Sequence, residues 1–155
     1  MATELKPAEK RAWQAFLDAQ AALLRRLEAE LVEKEDMTLG EYDVLIQLGI
    51  APTRRLRMTE LSERVRLSRS GLTRLVDRLV QDGLVKRGRC ASDRRGTFAI
   101  LTPAGTARLR HAQPVHLRGI REHFGKRLSA AQLSAVAEAL EPLGRDMRPE
   151  PRSPE

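Results

Sequence analysis

A mainly α-helical fold with one small β-hairpin is what this sequence predicts, and three observations carry the prediction. Aromatic residues make up only 3% of the chain while apolar residues reach 41%, so Leu, Val and Ala must fill the core, which favours helices. Apolar residues recur at spacings of three and four through most of the length. One interval breaks that period, where VKRGR and TFAIL read as strands on either side of CASDRRG.

Residues 7–34 form the first helix. Pro7 suits a first-turn position, and Trp13, Phe16, Leu17, Gln20, Leu24, Leu27 and Leu31 make a stripe with one polar interruption. Thr38 with Glu41 is a capping-box pattern that opens a second helix to about Gly49, carrying Tyr42, Leu45, Ile46 and Leu48. Ala51-Pro52 ends it. Thr59 is an N-cap for a short helix, Glu60 to Val65, and Ser68 caps another over 69–82, which Gly83 closes as a left-handed residue. Strands over 84–89 and 97–101 follow. Thr102 and Pro103 start a long helix to about residue 126, with Pro114 inside it where a kink is expected. Ser129 with Gln132 opens a last helix with Leu133, Val136, Ala137, Leu140 and Leu143 on one face. The tail RPEPRSPE reads as disordered.

The middle block, helix-turn-helix-strand-strand, is a winged helix-turn-helix by pattern, flanked by helices whose apolar stripes a single small domain cannot cover. The expected division is an N-terminal dimerisation helix over 1–37, the winged block over 38–102, C-terminal dimerisation helices over 103–146 and a tail over 147–155.

Charge is segregated in the same way. The whole chain carries +7. Residues 54–95 hold thirteen Lys/Arg against five acids, a net of +8, which leaves fifteen basic and sixteen acidic residues elsewhere. A positive face set apart in this manner suits a polyanion.

Placed on a wheel at 100° per residue, the helix after Ser68 puts Leu72, Leu75, Val76 and Leu79 within about 100° of arc. Ser70, Thr73, Arg74 and Asp77 lie opposite, flanked by Arg69 and Arg78. Hydroxyls and guanidiniums on an unobstructed N-terminal face fit a DNA major groove, because Arg binds guanine in bidentate fashion and Ser or Thr takes a base edge or a phosphate. The DNA-contact candidates are therefore Ser68, Arg69, Ser70, Thr73, Arg74 and Arg78. Any amphipathic helix has polar residues outside; here the preceding helix, the short turn and the basic context favour DNA. The hairpin tip Asp93-Arg94-Arg95 is either a solvated turn or a probe that crosses the backbone. In the second case a guanidinium enters the minor groove and Asp93 orients an arginine by a charge-assisted hydrogen bond.

The stretches TLGEYDVLIQL, MTELSERVRLSRSGLTRLVDRLVQDGLVKR and ASDRRGTFAILTPAG, about residues 38 to 106, resemble the MarR family of winged-helix regulators. The Asp-x-Arg wing followed by a hydrophobic residue and Leu-Thr-x-x-Gly is the most specific part. The resemblance implies that Asp93 orients, Arg95 is the minor-groove arginine and Arg94 meets phosphate. It also implies a homodimer with interlocking terminal helices that represses at imperfect palindromes in double-stranded DNA. Many members release DNA when a small anionic or phenolic ligand fills a cleft between the dimer helices and the DNA-binding lobe.

Candidates for such an effector pocket are Trp13, His116, Arg118 and Arg121, although Trp13 reads first as interface packing and the arginines as solvated surface. In a pair of copies, the stripe around Trp13, Phe16 and Leu17 is expected to bury against Leu109, Ile120, Phe124 and the last helix. His111, His116 and His123 do not share one helix face, so no metal site is expected, and no cofactor. The single cysteine, Cys90 at the wing base, precludes an internal disulfide and reads as a bystander. With no long apolar run and no signal-peptide pattern, the expectation is a cytoplasmic protein without membrane contact. An enzyme is the weakest class: no nucleophile–base pairing and no phosphate loop is visible. A sequence-indifferent architectural DNA binder is the alternative, but that class favours Lys-rich surfaces, and this segment uses Arg almost throughout. A protein–protein module predicts a neutral reading face, which is not what stands there. The reading adopted is a ligand-responsive transcriptional repressor.

Overall fold

The computed structural model describes residues 4–65, 67–89 and 97–146. The chain divides into two compact units, residues 1–119 and 120–155. The elements are α1 (Pro7–Glu35), α2 (Leu39–Ile50), β1 (Arg55–Arg57), α3 (Met58–Arg64), α4 (Arg69–Gln81), β2 (Val85–Arg89), β3 (Thr97–Leu101), α5 (Pro103–His123), a 3-10 turn (Gly125–Arg127) and α6 (Ala130–Asp146).

In the first unit, local chemistry sets most boundaries. Glu9 accepts the Lys6 N–H at 2.8 Å ahead of Pro7, and α1 ends where Asp36 turns left-handed at φ 47°. Thr38 and Glu41 satisfy each other reciprocally, the Glu41 N–H reaching Thr38 Oγ1 at 3.1 Å and the Thr38 N–H reaching Glu41 Oε2 at 2.7 Å. Glu28 of α1 adds a third acceptor there, taking the Leu39 N–H at 2.5 Å, so the first turn of α2 is fixed to α1. Ser68 Oγ accepts the Gly71 N–H at 3.1 Å and starts α4. Gly83, at φ 72°, ends it, with Leu84 N–H bonded to the Leu79 carbonyl and Gly83 N–H to that of Val80. That pair of bonds is the Schellman pattern.

Two boundaries differ from the sequence reading. Helix α3 begins at Met58, because Glu60 accepts the Arg57 N–H at 3.0 Å and makes Arg57, not Thr59, the capping position. The preceding three residues form a strand that the sequence reading left in the connection. Strand β1 joins the hairpin as an edge strand in the order β1-β3-β2, with Arg55 opposite Ile100, Leu56 opposite Ala99 and Arg57 opposite Phe98. Strand β2 pairs from Val85 with Leu101 to Arg89 with Thr97.

The core of this unit is aliphatic, as the composition requires. Leu31 of α1, Val44, Leu45 and Leu48 of α2, Leu61 of α3, Leu72, Val76 and Leu79 of α4 and Val85 of β2 are all essentially inaccessible. Thr102 joins sheet to α5. Its hydroxyl lies 2.7 and 3.0 Å from the carbonyls of Gly83 and Leu84 and accepts the Gly105 N–H at 3.0 Å. A Cβ at residue 105 would stand 2.1 Å from the Leu84 oxygen, so only glycine lets the helix approach the strand this closely. This accounts for the Leu-Thr-x-x-Gly pattern in local terms. Helix α5 runs on through Pro114. Leu109 is buried in this unit's own core, which corrects its expected place in the surface between two copies: α5 turns that side chain inward and leaves Leu117 outward.

In the second unit, Ser129 and Gln132 cap α6 reciprocally at 2.8 and 3.2 Å. None of the α6 side chains is buried, and Leu140 and Leu143 are exposed.

Candidate nucleic-acid interface

The N-terminal half of α4 gathers the first set of predicted contacts. Ser68 and Ser70 bring their hydroxyls within 3.3 Å of each other, and the Thr73 hydroxyl donates to the Arg69 carbonyl at 2.9 Å. Arg69 and Thr73 line a small cleft with Leu72 and with Met58, Thr59 and Ser62 of α3. Arg74 is exposed on the same helix. The apolar side, Leu72, Val76 and Leu79, is buried, so packing fixes which face points outward.

Two residues of the wheel's polar arc are tied back to the protein. Arg78 Nη1 lies 3.4 Å from Oε1 of Glu41, a carboxylate that is itself buried in α2. Asp77 accepts from Arg87 of β2 at 2.8 Å. The first pair joins α4 to α2 beneath it and the second joins α4 to β2. The sequence reading placed Asp77 on the outer face and named Arg78 among the DNA contacts; the structure turns Arg78 toward Glu41, with most of its side chain still exposed. Opposite charges across a helix–turn–strand junction were the available signal for the Asp77–Arg87 pair. Asp93, Arg94, Arg95 and Cys90 lie outside the described residues; strands β2 and β3 bring the chain as far as the Arg89–Thr97 pair at the base of the tip.

A sequence profile described as "MarR family" matches residues 35–96, from the end of α1 to the wing. Over nearly the whole chain the fold is similar to Sco3205 of Streptomyces coelicolor, a MarR family transcriptional regulator solved in complex with DNA. The identity is 33% and the TM-score 0.87, covering 97% of this chain and 94% of that one. AbsC of the same organism is similar at 32% identity and TM-score 0.84, covering 95% and 99%. The chain belongs to the MarR family.

The HTH-type transcriptional repressor YetL of Bacillus subtilis is 36% identical over 81 residues, which is 52% of this chain and 48% of YetL. The chain thus spans about half the length of that relative.

The residues named from the sequence as effector candidates lie on α1 and α5. His116 packs on Tyr42 with ring centroids 4.3 Å apart, and its Nδ1 is buried without a hydrogen-bond partner among the described residues. Burial pushes the His116 imidazole below its ordinary value and the Tyr42 hydroxyl above its own, the latter helped by the charge of Asp43. Trp13 is exposed and pairs with Phe16 at 6.1 Å. Arg118 and Arg121 are exposed on α5. The structure does not bring Trp13 to His116 within one chain. Leu27 packs against α5 at Gly119, one turn from His116, and Trp13 precedes Leu27 by fourteen residues, about 21 Å along α1.

A further cluster was not foreseen. Glu35 at the end of α1 meets Arg108 Nη1 at 3.0 Å and His111 Nδ1 at 2.7 Å, and Arg108 also donates to the Glu35 carbonyl. The His111 hydrogen bond, chiefly, and Arg108 hold the Glu35 carboxyl below its ordinary value against a burial effect of opposite sign. Nothing in a linear pattern signals partners 73 residues apart.

Proposed function

We propose that two copies of this chain bind an imperfect palindrome in double-stranded DNA and repress transcription there. The observation that carries the reading is the outward face of α4: Ser68, Arg69, Ser70, Thr73 and Arg74 on a helix whose opposite face is locked in the core and whose flank is joined to β2. Such a helix presents donors to a major groove at a fixed angle. In this reading Arg94 and Arg95 carry the wing to phosphate and minor groove with Asp93 as orienting partner. Residues 1–37 and 103–146 supply the dimer contacts around the 38–102 block. The exposed apolar residues Trp13, Phe16, Leu17 and Leu24 of α1 support pairing, as do Leu140 and Leu143 of α6, since apolar surface of this kind gains from association.

Two arginine substitutions test it. Fragments selected from the source genome define the operator, and fluorescence anisotropy reads the variants. Arg74→Ala is expected to lose about 1–3 kcal/mol and to relax base preference at one half-site position. Arg95→Ala is expected to lose a similar amount, concentrated at A·T-rich flanks. Equal affinity of the wild type for operator and random duplex at moderate salt overturns the reading in favour of an architectural binder, and a strictly monomeric protein overturns the palindrome.

The reading includes release by a small anionic or phenolic effector. The unpartnered Nδ1 of His116 beside Tyr42 supports a ligand there. Because Trp13 lies about 21 Å away along α1, any pocket holding both draws Trp13 from the second copy. A panel of aromatic carboxylates and phenols added to the operator complex is expected to contain a releasing ligand, and His116→Phe is expected to abolish the response while leaving DNA affinity intact.

A further inference from the structure

The outer face of the small sheet carries chemistry that the reading helix does not absorb. Strand β1 reads exposed Arg55, buried Leu56, exposed Arg57, so the leucine fixes the strand in the core and both guanidiniums stand on the opposite face. The register sets Arg57 opposite Phe98, and both cations converge on that ring, with Arg55 Cζ 4.4 Å and Arg57 Cζ 5.7 Å from its centroid. Across β3, Lys86 of β2 pairs with Ile100 on the same face. Three cations therefore border an apolar floor of Phe98 and Ile100. A cation–π contact holds a guanidinium over the ring face.

The position of this ledge matters as much as its charge. Arg57 directly precedes Met58, and Met58 and Thr59 line the same cleft as Arg69 and Thr73 of α4. Phe98 directly follows Thr97, the first residue of β3 beyond the wing tip. Along the chain the ledge thus adjoins the start of α3 on one side and the first residue of β3 on the other.

We infer that Arg55 and Arg57, held on Phe98, form a phosphate-gripping ledge that contacts the DNA backbone flanking the bases read by α4. The inference rests on the proposed DNA-binding function and adds to it a contact surface on a strand outside the helix-turn-helix and the wing tip. The occupant follows from chemistry. A guanidinium matches phosphate in bidentate fashion, and fixed cations beside a groove-reading element set register without reading sequence.

The test compares the wild type with Arg55→Gln/Arg57→Gln on the selected operator, with native flanks and with the flanks trimmed away. On flanked DNA the double variant is expected to show a plot of log affinity against log salt shallower by about 1.8, about 0.9 for each lost phosphate contact. The wild type's advantage then shrinks about tenfold between about 50 and 200 mM salt. The loss is expected to be the same for operator and random duplex, in contrast to Arg74→Ala, and to vanish on the trimmed operator. Phe98→Leu keeps both cations but removes the ring; it is expected to weaken binding with the slope nearly unchanged. It also keeps the test decisive if thermal melts show the double variant to be misfolded. A double variant that folds and binds flanked operator with wild-type affinity and slope overturns the ledge, including the case in which the same arginines prove to hold an acidic protein instead. Loss of operator preference in the wild type itself overturns the parent function, and that arm is read without any variant.

Discussion

The first unit and the terminal helices solve the problem of burial in opposite ways. Between α2 and β3, apolar side chains find partners inside the same unit: Leu45, Leu48, Leu61, Leu72, Leu79 and Val85 are inaccessible. In α6 none is buried, although the helix has the same aliphatic composition and a well-formed cap. Helix α1 shows both behaviours along its length. Leu27 and Leu31 are buried, whereas Trp13, Phe16, Leu17 and Leu24 keep between 38 and 55% of their surface exposed. A single stripe read from the sequence is thus divided in two, its C-terminal part completing the core and its N-terminal part left exposed. Amphipathic periodicity identifies a face that must be covered, but not what covers it.

Breaking this contrast begins in the core. Leu72→Ala removes a fully buried side chain beneath the reading face and is expected to cost about 2–5 kcal/mol in chemical denaturation, at every protein concentration. Leu143→Ala is expected to behave differently, with an effect that grows with protein concentration because the residue contributes only where a second copy covers it. A Leu143→Ala cost that does not depend on concentration removes α6 from the pairing surface.

A smaller effect sharpens the same contrast at the joint between sheet and α5. Thr102→Val deletes the oxygen that accepts the Gly105 N–H and donates to the Gly83–Leu84 carbonyls while keeping the shape. It is expected to cost about 1 kcal/mol, read as a shift in denaturation midpoint with unchanged slope.

The smallest effect is a pH dependence at the far end of α1. The Glu35 carboxyl is held below its ordinary value in the folded chain, so its contribution is fully present above that ordinary value and is lost as pH falls through the lower folded one. The stability difference between wild type and Glu35→Gln is therefore expected to be flat from neutral pH down to about 5 and to narrow below it. A difference that widens on acidification excludes the Glu35–Arg108–His111 cluster as the source of this stability.

Much of this was legible in the sequence wherever the cause is local. The Thr38–Glu41 and Ser129–Gln132 reciprocal caps, the Ser68 cap and the left-handed Gly83 each depend on residues within a few positions, and all stand where the pattern puts them. The outward face of α4 was legible because its apolar opposite is unambiguous. Strand β1 was not, since three residues are too short to display alternation against the background. The start of α3 was misplaced because Thr59 has the chemistry of a cap, but Glu60 uses the backbone of Arg57. Leu109 was misassigned because α5 has two apolar sides, and only tertiary structure says which is inward. The Arg78–Glu41 and Glu35–Arg108–His111 groupings depend on chain segments distant in sequence, a relation that no helical wheel contains.

The contact between Gly105 and the Leu84 carbonyl has one more consequence. With 2.1 Å between that oxygen and the place a methyl group would take, strand end and helix start share a joint with no clearance. Any side chain at residue 105 would wedge the start of α5 away from the end of β2 and pull the Thr102 hydroxyl off the carbonyls it bonds.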